Sequence, residues 1–93
     1  MSSNGSKKIL YFTAQWCGPC QTIKPTWYQL EKKHSYHITF NEVDVDLNRN
    51  VAEQHDVEKM PTFVFIADGK EVKRFSGADA GKLTRYVDEL LKM

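Results

Sequence analysis

The amino-acid sequence predicts a small α/β domain with a four-stranded mixed sheet, built from a βαβ unit and a β-hairpin and flanked by about three helices. Three observations support this fold class. The 93 residues suffice for one domain and leave no room for a second. A helical pattern separates two strand-like segments, residues 9–12 and 38–45. An Asp68-Gly69 turn signal joins two further strand-like segments.

The first strand and the first helix follow from hydrophobic periodicity. Residues 9–12 are an apolar run that ends at the small and polar residues 13–15, which predicts a buried strand leading into a loop. From Gly18 onward apolar side chains recur at helical spacing, so we expect a helix over residues 18–33 with a bend at Pro25. These apolar side chains are Ile23, Trp27 and Leu30.

Two elements follow the first helix. Residues 38–45 predict a second strand, which is parallel to the first if the helix between them forms a crossover. Residues 47–54 predict a short helix, with Asn48 or Asn50 as its N-cap.

A hairpin and a last helix complete the predicted fold. Residues 62–66 and 71–75 are strand-like and flank the Asp68-Gly69 turn, so they form an antiparallel pair. Asp79 is a suitable N-cap for a final helix with one apolar stripe facing the sheet. The stripe consists of Leu83, Tyr86, Val87, Leu90 and Leu91.

Composition excludes several classes of function. Thirteen basic and twelve acidic residues are interspersed, which gives no basic face for a nucleic-acid backbone. No apolar run approaches the ~18 residues of a membrane span. Residues 1–7 are polar, so we expect a flexible leader there and a domain over residues 8–93. This start lacks the apolar stretch of a secretory signal, so we expect a cytoplasmic location. We also expect a monomer.

Cys17 and Cys20 are the only cysteines, and their spacing indicates redox chemistry. A cysteine at the start of a helix meets unpaired backbone N–H groups and the positive end of the helix dipole, which favour its thiolate. Cys17 is therefore the predicted nucleophile, and Cys20, almost one turn later, is the predicted resolving thiol. Gly18 permits close approach of a substrate backbone, and Pro19 suits the first helical turn.

A zinc site is the alternative interpretation of this cysteine pair. His34 and His37 follow in the arrangement C-x2-C-x13-H-x2-H, which resembles finger spacing except that the histidines are one residue too close. A finger would also leave the hairpin and the last helix unexplained. We therefore expect no bound metal and interpret His34, His37 and His55 as solvated surface residues.

Five motifs together resemble the thioredoxin family, in particular its eukaryotic cytosolic members. They are Trp-Cys-Gly-Pro-Cys at 16–20, Pro25, Val-Asp-Val-Asp at 43–46, Met-Pro-Thr at 60–62 and Phe-Ser-Gly-Ala at 75–78. The resemblance extends from Ile9 to the C-terminus. It implies a protein-disulfide reductase that binds no cofactor and receives electrons from NADPH through thioredoxin reductase. Alternatives within the same fold are a thiol oxidase or isomerase and a redox-independent binding module.

The resemblance also implies a substrate site. Pro61 should be cis and lie against the cysteines, with the Met60 backbone offering hydrogen bonds to an extended client. An apolar collar should surround the reactive sulfur. Its expected members are Trp16, Gly18, Pro19, Met60, Pro61, Gly77 and Ala78.

The sequence departs from the family pattern in two ways. The usual N-terminal βα unit is not found before the cysteine strand, so we expect a minimal fold in which strand 38–45 is an edge or is covered by the leader. Tyr11 stands where the family has a buried aspartate, and a tyrosine is not a base near neutral pH. We therefore hypothesise that Glu42 relays the proton of Cys20, through a hydrogen bond to Tyr11 or through water.

Overall fold

The computed structural model describes residues 6–93, which form seven elements of secondary structure. In chain order these are β1 (Lys7–Thr13), α1 (Gly18–His34), β2 (Thr39–Asp44), α2 (Arg49–Gln54), β3 (Thr62–Ala67), β4 (Lys70–Ser76) and α3 (Ala80–Leu91). This order confirms the predicted βαβ unit, hairpin and final helix. No helix within residues 6–93 has both the length and the apolar composition needed to cross a bilayer.

The sheet has the strand order β2-β1-β3-β4. The inner strand β1 pairs in parallel with β2, where Tyr11 lies opposite Glu42, and antiparallel with β3, where Tyr11 lies opposite Phe63. β3 and β4 form the antiparallel hairpin. The predicted four-stranded mixed sheet is thus confirmed, and β2 lies at its edge. The first five residues of the predicted leader lie outside the described residues.

The hairpin turn explains the Asp68-Gly69 signal. Both residues have positive φ angles, 54° at Asp68 and 79° at Gly69. Two successive positive φ angles are typical of the tight hairpin turn whose twist matches that of the flanking strands, and Asp-Gly is a preferred pair there. The local sequence therefore determines where the chain reverses.

The main core lies between the sheet and the helices α1 and α3. A continuous cluster of buried side chains joins Tyr11 and Phe63 of the sheet to Trp27 of α1 and Leu83 of α3. The opposite face holds a smaller buried cluster, Leu10, Phe12 and Val64, against which α2 and its loops place partly buried side chains. The inner strand β1 is buried on both faces, which is why it reads as an uninterrupted apolar run.

Several predicted boundaries differ from the structure by one or two residues. The strand β1 already begins at Lys7, which the prediction placed in the leader. The helix α1 continues through Pro25 to His34, and Pro25 is exposed on its surface.

The helix α2 begins at Arg49 and not at residue 47. The Asp44 carbonyl accepts hydrogen bonds from the Leu47 N–H (3.1 Å) and the Asn48 side-chain amide (3.0 Å), so a turn precedes the helix. Asn48 occupies the N-cap position, but its side chain makes no capping bond. Asn50 lies inside the helix.

Candidate active site

Cys17 and Cys20 form a disulfide at the N-terminus of α1, with their Cα atoms 5.3 Å apart. Cys17 is the N-cap residue, and its Sγ accepts a hydrogen bond of 3.2 Å from the backbone N–H of Cys20. The same donor would stabilise a Cys17 thiolate in the reduced protein, together with the positive end of the α1 dipole. Cys17 retains 6% exposure whereas Cys20 has none, so an incoming sulfur meets Cys17 first.

Apolar side chains enclose the pair from below. Ala14, Cys17 and Cys20 form one buried cluster, and Val45 and Met60 pack against it. The Ala14 carbonyl accepts the Cys17 N–H at 3.2 Å and the Gln21 side-chain amide at 2.9 Å. These bonds hold the loop between β1 and α1, and hence the nucleophile, in one position.

The Met60-Pro61 peptide bond is cis, which confirms the expectation from the sequence. The Pro61 carbonyl accepts the N–H of Gly77 at 2.9 Å, and this bond joins the segment before β3 to the segment after β4. Gly77 has a φ of 108°, a backbone conformation that favours glycine. Two segments distant in sequence thereby meet beside the cysteines.

The residues of the expected collar differ in exposure. Trp16, Gly18, Pro19 and Ala78 are exposed, Met60 and Gly77 are half-buried, and Pro61 is buried. Trp16 is 68% exposed, and its indole N–H donates to the Asp46 carboxylate at 2.8 Å. This bond fixes the ring beside Cys17. Asp46 was not among the predicted site residues, since 30 residues separate it from Trp16.

Tyr11 lies beneath the active-site helix, and its hydroxyl donates a hydrogen bond to the backbone carbonyl of Cys20. Burial raises the pKa of Tyr11, and a nearby Lys24 opposes that shift. Tyr11 is therefore protonated at neutral pH and acts as a donor, in agreement with the sequence argument that it is no base.

Glu42 does not share a hydrogen bond with Tyr11, so this form of the expected relay is wrong. Its carboxylate accepts from Lys24 Nζ at 2.8 Å and from the Tyr28 hydroxyl at 2.9 Å. Both donors come from α1, which packs beside β2 at this point. They bind the carboxylate in place of the Tyr11 hydroxyl. The bond to Glu42 raises the pKa of Lys24 and that of Tyr28. Lys24 and Tyr28 were missed, although Lys24 follows Cys20 by one helical turn.

The histidines do not complete a zinc site with the cysteines. His34 lies at the opposite end of α1 from Cys20, about 21 Å away along a helix that rises 1.5 Å per residue. Within residues 6–93 no group of three or more His, Cys, Asp or Glu side chains is arranged to hold a metal. His37 is exposed, whereas His34 and His55 are half-buried, and the His55 ring packs on Phe12 with 5.7 Å between ring centroids. Of the three histidines, only His37 is therefore the fully solvated residue that the sequence analysis expected.

Comparisons with known proteins agree with this geometry. The thioredoxin family model matches residues 1–89. A curated thioredoxin of Ovis aries is 44% identical over 92 residues, which cover 98% of this chain and 87% of the relative. A Fasciola hepatica thioredoxin structure has a TM-score of 0.86 at 47% identity and covers 91% of this chain and 81% of its own. The structure of the Drosophila melanogaster germline-specific thioredoxin Deadhead has a TM-score of 0.90 at 35% identity, and the match covers 95% of this chain and 84% of Deadhead. Because these matches include the cysteine pair at the start of α1, the chain belongs to the thioredoxin family of dithiol–disulfide oxidoreductases.

Proposed function

We propose that this protein is a reductant of protein disulfides, with Cys17 as nucleophile and Cys20 as resolving thiol. The observation that carries the proposal is the asymmetry of the pair. Cys17 Sγ caps the helix and accepts the Cys20 N–H, whereas Cys20 is completely buried behind it. The sulfur that a client reaches is thus also the one whose anion the helix stabilises.

The reaction proceeds by two exchanges. The Cys17 thiolate attacks one sulfur of a client disulfide, forming a mixed disulfide and releasing the other client sulfur as a thiolate. Cys20, as a thiolate, then attacks Cys17 Sγ, which forms the Cys17–Cys20 disulfide and releases the second client thiolate. The client gains two electrons and the dithiol loses two. No cofactor bound to this chain takes part, and thioredoxin reductase, a flavoprotein, returns the electrons from NADPH.

The client site consists of the collar around Cys17. Its proposed members include the exposed Trp16, Gly18 and Pro19, and also Met60, which packs against the cysteine cluster. An extended client segment would pair with the Met60 backbone as an added strand. Pro61, Gly77 and Ala78 complete the proposed collar, and the Pro61 carbonyl accepts the Gly77 N–H at 2.9 Å.

Glu42 is proposed to relay the proton of Cys20 through water. The residue lies opposite Tyr11 in the β1–β2 register and is anchored by Lys24, one turn after Cys20 on α1. A Glu42→Gln variant should slow the second exchange and alter its pH dependence, measured by stopped-flow decay of the mixed disulfide. An unchanged rate and pH profile would contradict the relay.

The protein is further proposed to act as a monomer in the cytoplasm. The oxidised form of a dithiol reductant is reduced again most readily in a compartment that keeps thiols reduced.

Reductase-coupled oxidation of NADPH with a protein disulfide as substrate tests the main proposal. We expect turnover by the wild type, a trapped mixed disulfide with Cys20→Ser, and no turnover with the double variant Cys17→Ser/Cys20→Ser. Dithiothreitol as a second electron donor separates an inactive protein from an unsuitable reductase. Folded protein without turnover from either donor would contradict the proposal, and partner binding that survives in the double variant would indicate a redox-independent module.

A further inference from the structure

A groove of about 470 Å³ lies beside the cysteine motif and is lined by Trp16 of the proposed collar and by four residues to which the exchange reaction gives no role. Its apolar part consists of Trp16, 68% exposed, and Leu47, 80% exposed. Asp44 and Asp46 provide its polar part, and Gln15 completes the lining. Two large apolar side chains so exposed next to a reactive centre indicate a surface that a partner covers.

The fold places this groove next to the cysteine motif. Trp16, which forms one wall of the groove, immediately precedes the nucleophile Cys17 in the chain. Val45 lies between the two aspartates in the chain and packs against the cysteine cluster. The Val45 N–H also donates to the Thr13 carbonyl at 2.9 Å, which fixes the end of β2 to the strand that leads into the motif. A client bound at Cys17 is therefore within reach of the groove.

The charge of the groove is uncompensated within the described part of the chain. Asp44 Oδ1 accepts the Asp46 N–H at 2.9 Å, and Asp46 Oδ2 accepts the Trp16 indole N–H at 2.8 Å. These bonds orient both carboxylates and leave one oxygen of each for another donor. Neither aspartate forms an ion pair with a residue in the range 6–93. The groove thus combines an apolar wall with two oriented negative charges.

We propose that this groove binds an arginine side chain of the client, close to the client cysteine that Cys17 attacks. An arginine has an apolar stem, a planar cation that stacks on an aromatic ring, and donors in a fork that suits carboxylates. Its stem would pack on Leu47, its guanidinium plane on Trp16, and its N–H groups would donate to Asp44 and Asp46. This inference rests on the proposed function, because it specifies which clients that reaction prefers.

Paired peptide disulfides test the inference. The two peptides of a pair are identical except at one position, which is Arg in one peptide and Gln in the other. Separate pairs place this position one or two residues before or after the cysteine. At one position we expect kcat/KM to be about tenfold higher for the Arg peptide at low salt, a preference worth ~1.4 kcal/mol. The preference should decline at high salt, because the groove is exposed.

Variants of the groove locate the preference. Asp44→Asn and Leu47→Ser should each bring the Arg-to-Gln ratio of kcat/KM close to one. Leu47 is 80% exposed, so Leu47→Ser keeps the test valid if Asp44→Asn folds poorly. Asp88→Asn, which removes an exposed carboxylate from α3, is the matched control and should keep the wild-type ratio.

Reduction of a small aromatic disulfide by the wild type separates the two proposals. If that compound is reduced while Arg and Gln peptides react equally at every position, the arginine site is wrong and the proposed reductase activity stands. An Arg preference that persists in both groove variants also contradicts the site. If neither the small disulfide nor any peptide is reduced, the proposed function itself fails.

Discussion

Tyr11 shows how a single side chain supports the active site without reacting. Its ring packs on Phe63 and Trp27, with centroids 4.9 Å and 5.0 Å away, and its hydroxyl donates to the Cys20 carbonyl. Tyr11 thereby ties β1 to the first turn of α1. Because burial raises its pKa, the hydroxyl keeps its proton over the whole working range of pH. Tyr11 is a positioning residue for the main chain of Cys20.

Tyr11→Phe should lower the free energy of unfolding by about 1 kcal/mol at pH 7, since one buried hydrogen bond is lost while the ring contacts remain. The pKa of Tyr11 is raised in the folded state, so its contribution is complete below pH 10, the ordinary tyrosine value, and is lost as the pH rises through the folded value. Urea unfolding of both proteins at pH 7 and above pH 10 measures this. A difference that stays constant or grows above pH 10 would contradict the assignment.

At the scale of elements, Arg74 of β4 connects the hairpin to the end of α2. Its guanidinium forms two bonds to the Glu71 carboxylate, at 2.6 Å and 2.8 Å, and one of 2.8 Å to the His55 carbonyl. The helix α2 has no fully buried residue of its own. The bond to His55, together with the packing of His55 on Phe12, therefore holds the end of this short helix on the sheet.

Glu71→Gln should reduce stability at pH 7 by about 0.5 kcal/mol, a small effect because solvent screens the partly exposed pair. The bond to Arg74 lowers the pKa of Glu71, so its contribution is present above the ordinary value of 4.5 and is lost as the pH falls through the lower folded value. Urea unfolding from pH 7 to pH 3 should show the two proteins converging. Glu53→Gln, at an exposed position of α2, is the control, and an equal loss there would refute the specific role of the pair.

For the whole molecule, burial is unequal on the two faces of the sheet. The face under α1 and α3 holds a buried cluster of twelve residues, whereas the other face has a cluster of three. Trp27 lies within the larger cluster, 1% exposed and in ring contact with Tyr11, Phe40 and Phe63. Since α1 also carries the cysteines, the packing that stabilises the domain also positions its chemistry.

Trp27→Ala should cost about 3–5 kcal/mol, the usual range for a large buried aromatic, which is a major share of the 5–15 kcal/mol typical of a domain. Tyr36→Ala removes an aromatic side chain that is 91% exposed and should change stability by less than about 0.5 kcal/mol. Urea denaturation of both variants in the oxidised form makes the comparison. Similar losses for the two variants would show that the α1 face does not dominate the core.

Local features of the sequence were sufficient for most elements of the fold. The Asp68-Gly69 turn, the Asp79 cap, whose carboxylate accepts the Lys82 N–H at 2.9 Å, and the helical spacing of α1 act over a few residues. The start of α2 was predicted two residues too early. The Leu47 N–H and the Asn48 side-chain amide both donate to the Asp44 carbonyl, so these two residues form a turn before the helix. Backbone hydrogen bonds of loops are not visible in a hydrophobic pattern.

The sequence by itself determined the order of the elements and the place of Cys17 and Cys20 at the start of α1, since periodicity, turn chemistry and helix termini are short-range effects. Only the tertiary structure decided which side chains meet. The partners of Glu42 are Lys24 and Tyr28 and not Tyr11, because α1 packs beside β2. Trp16 bonds to Asp46, because the segment after β2 lies beside the cysteine motif. Such pairings depend on how helices pack on the sheet, and the residues involved are far apart in the chain.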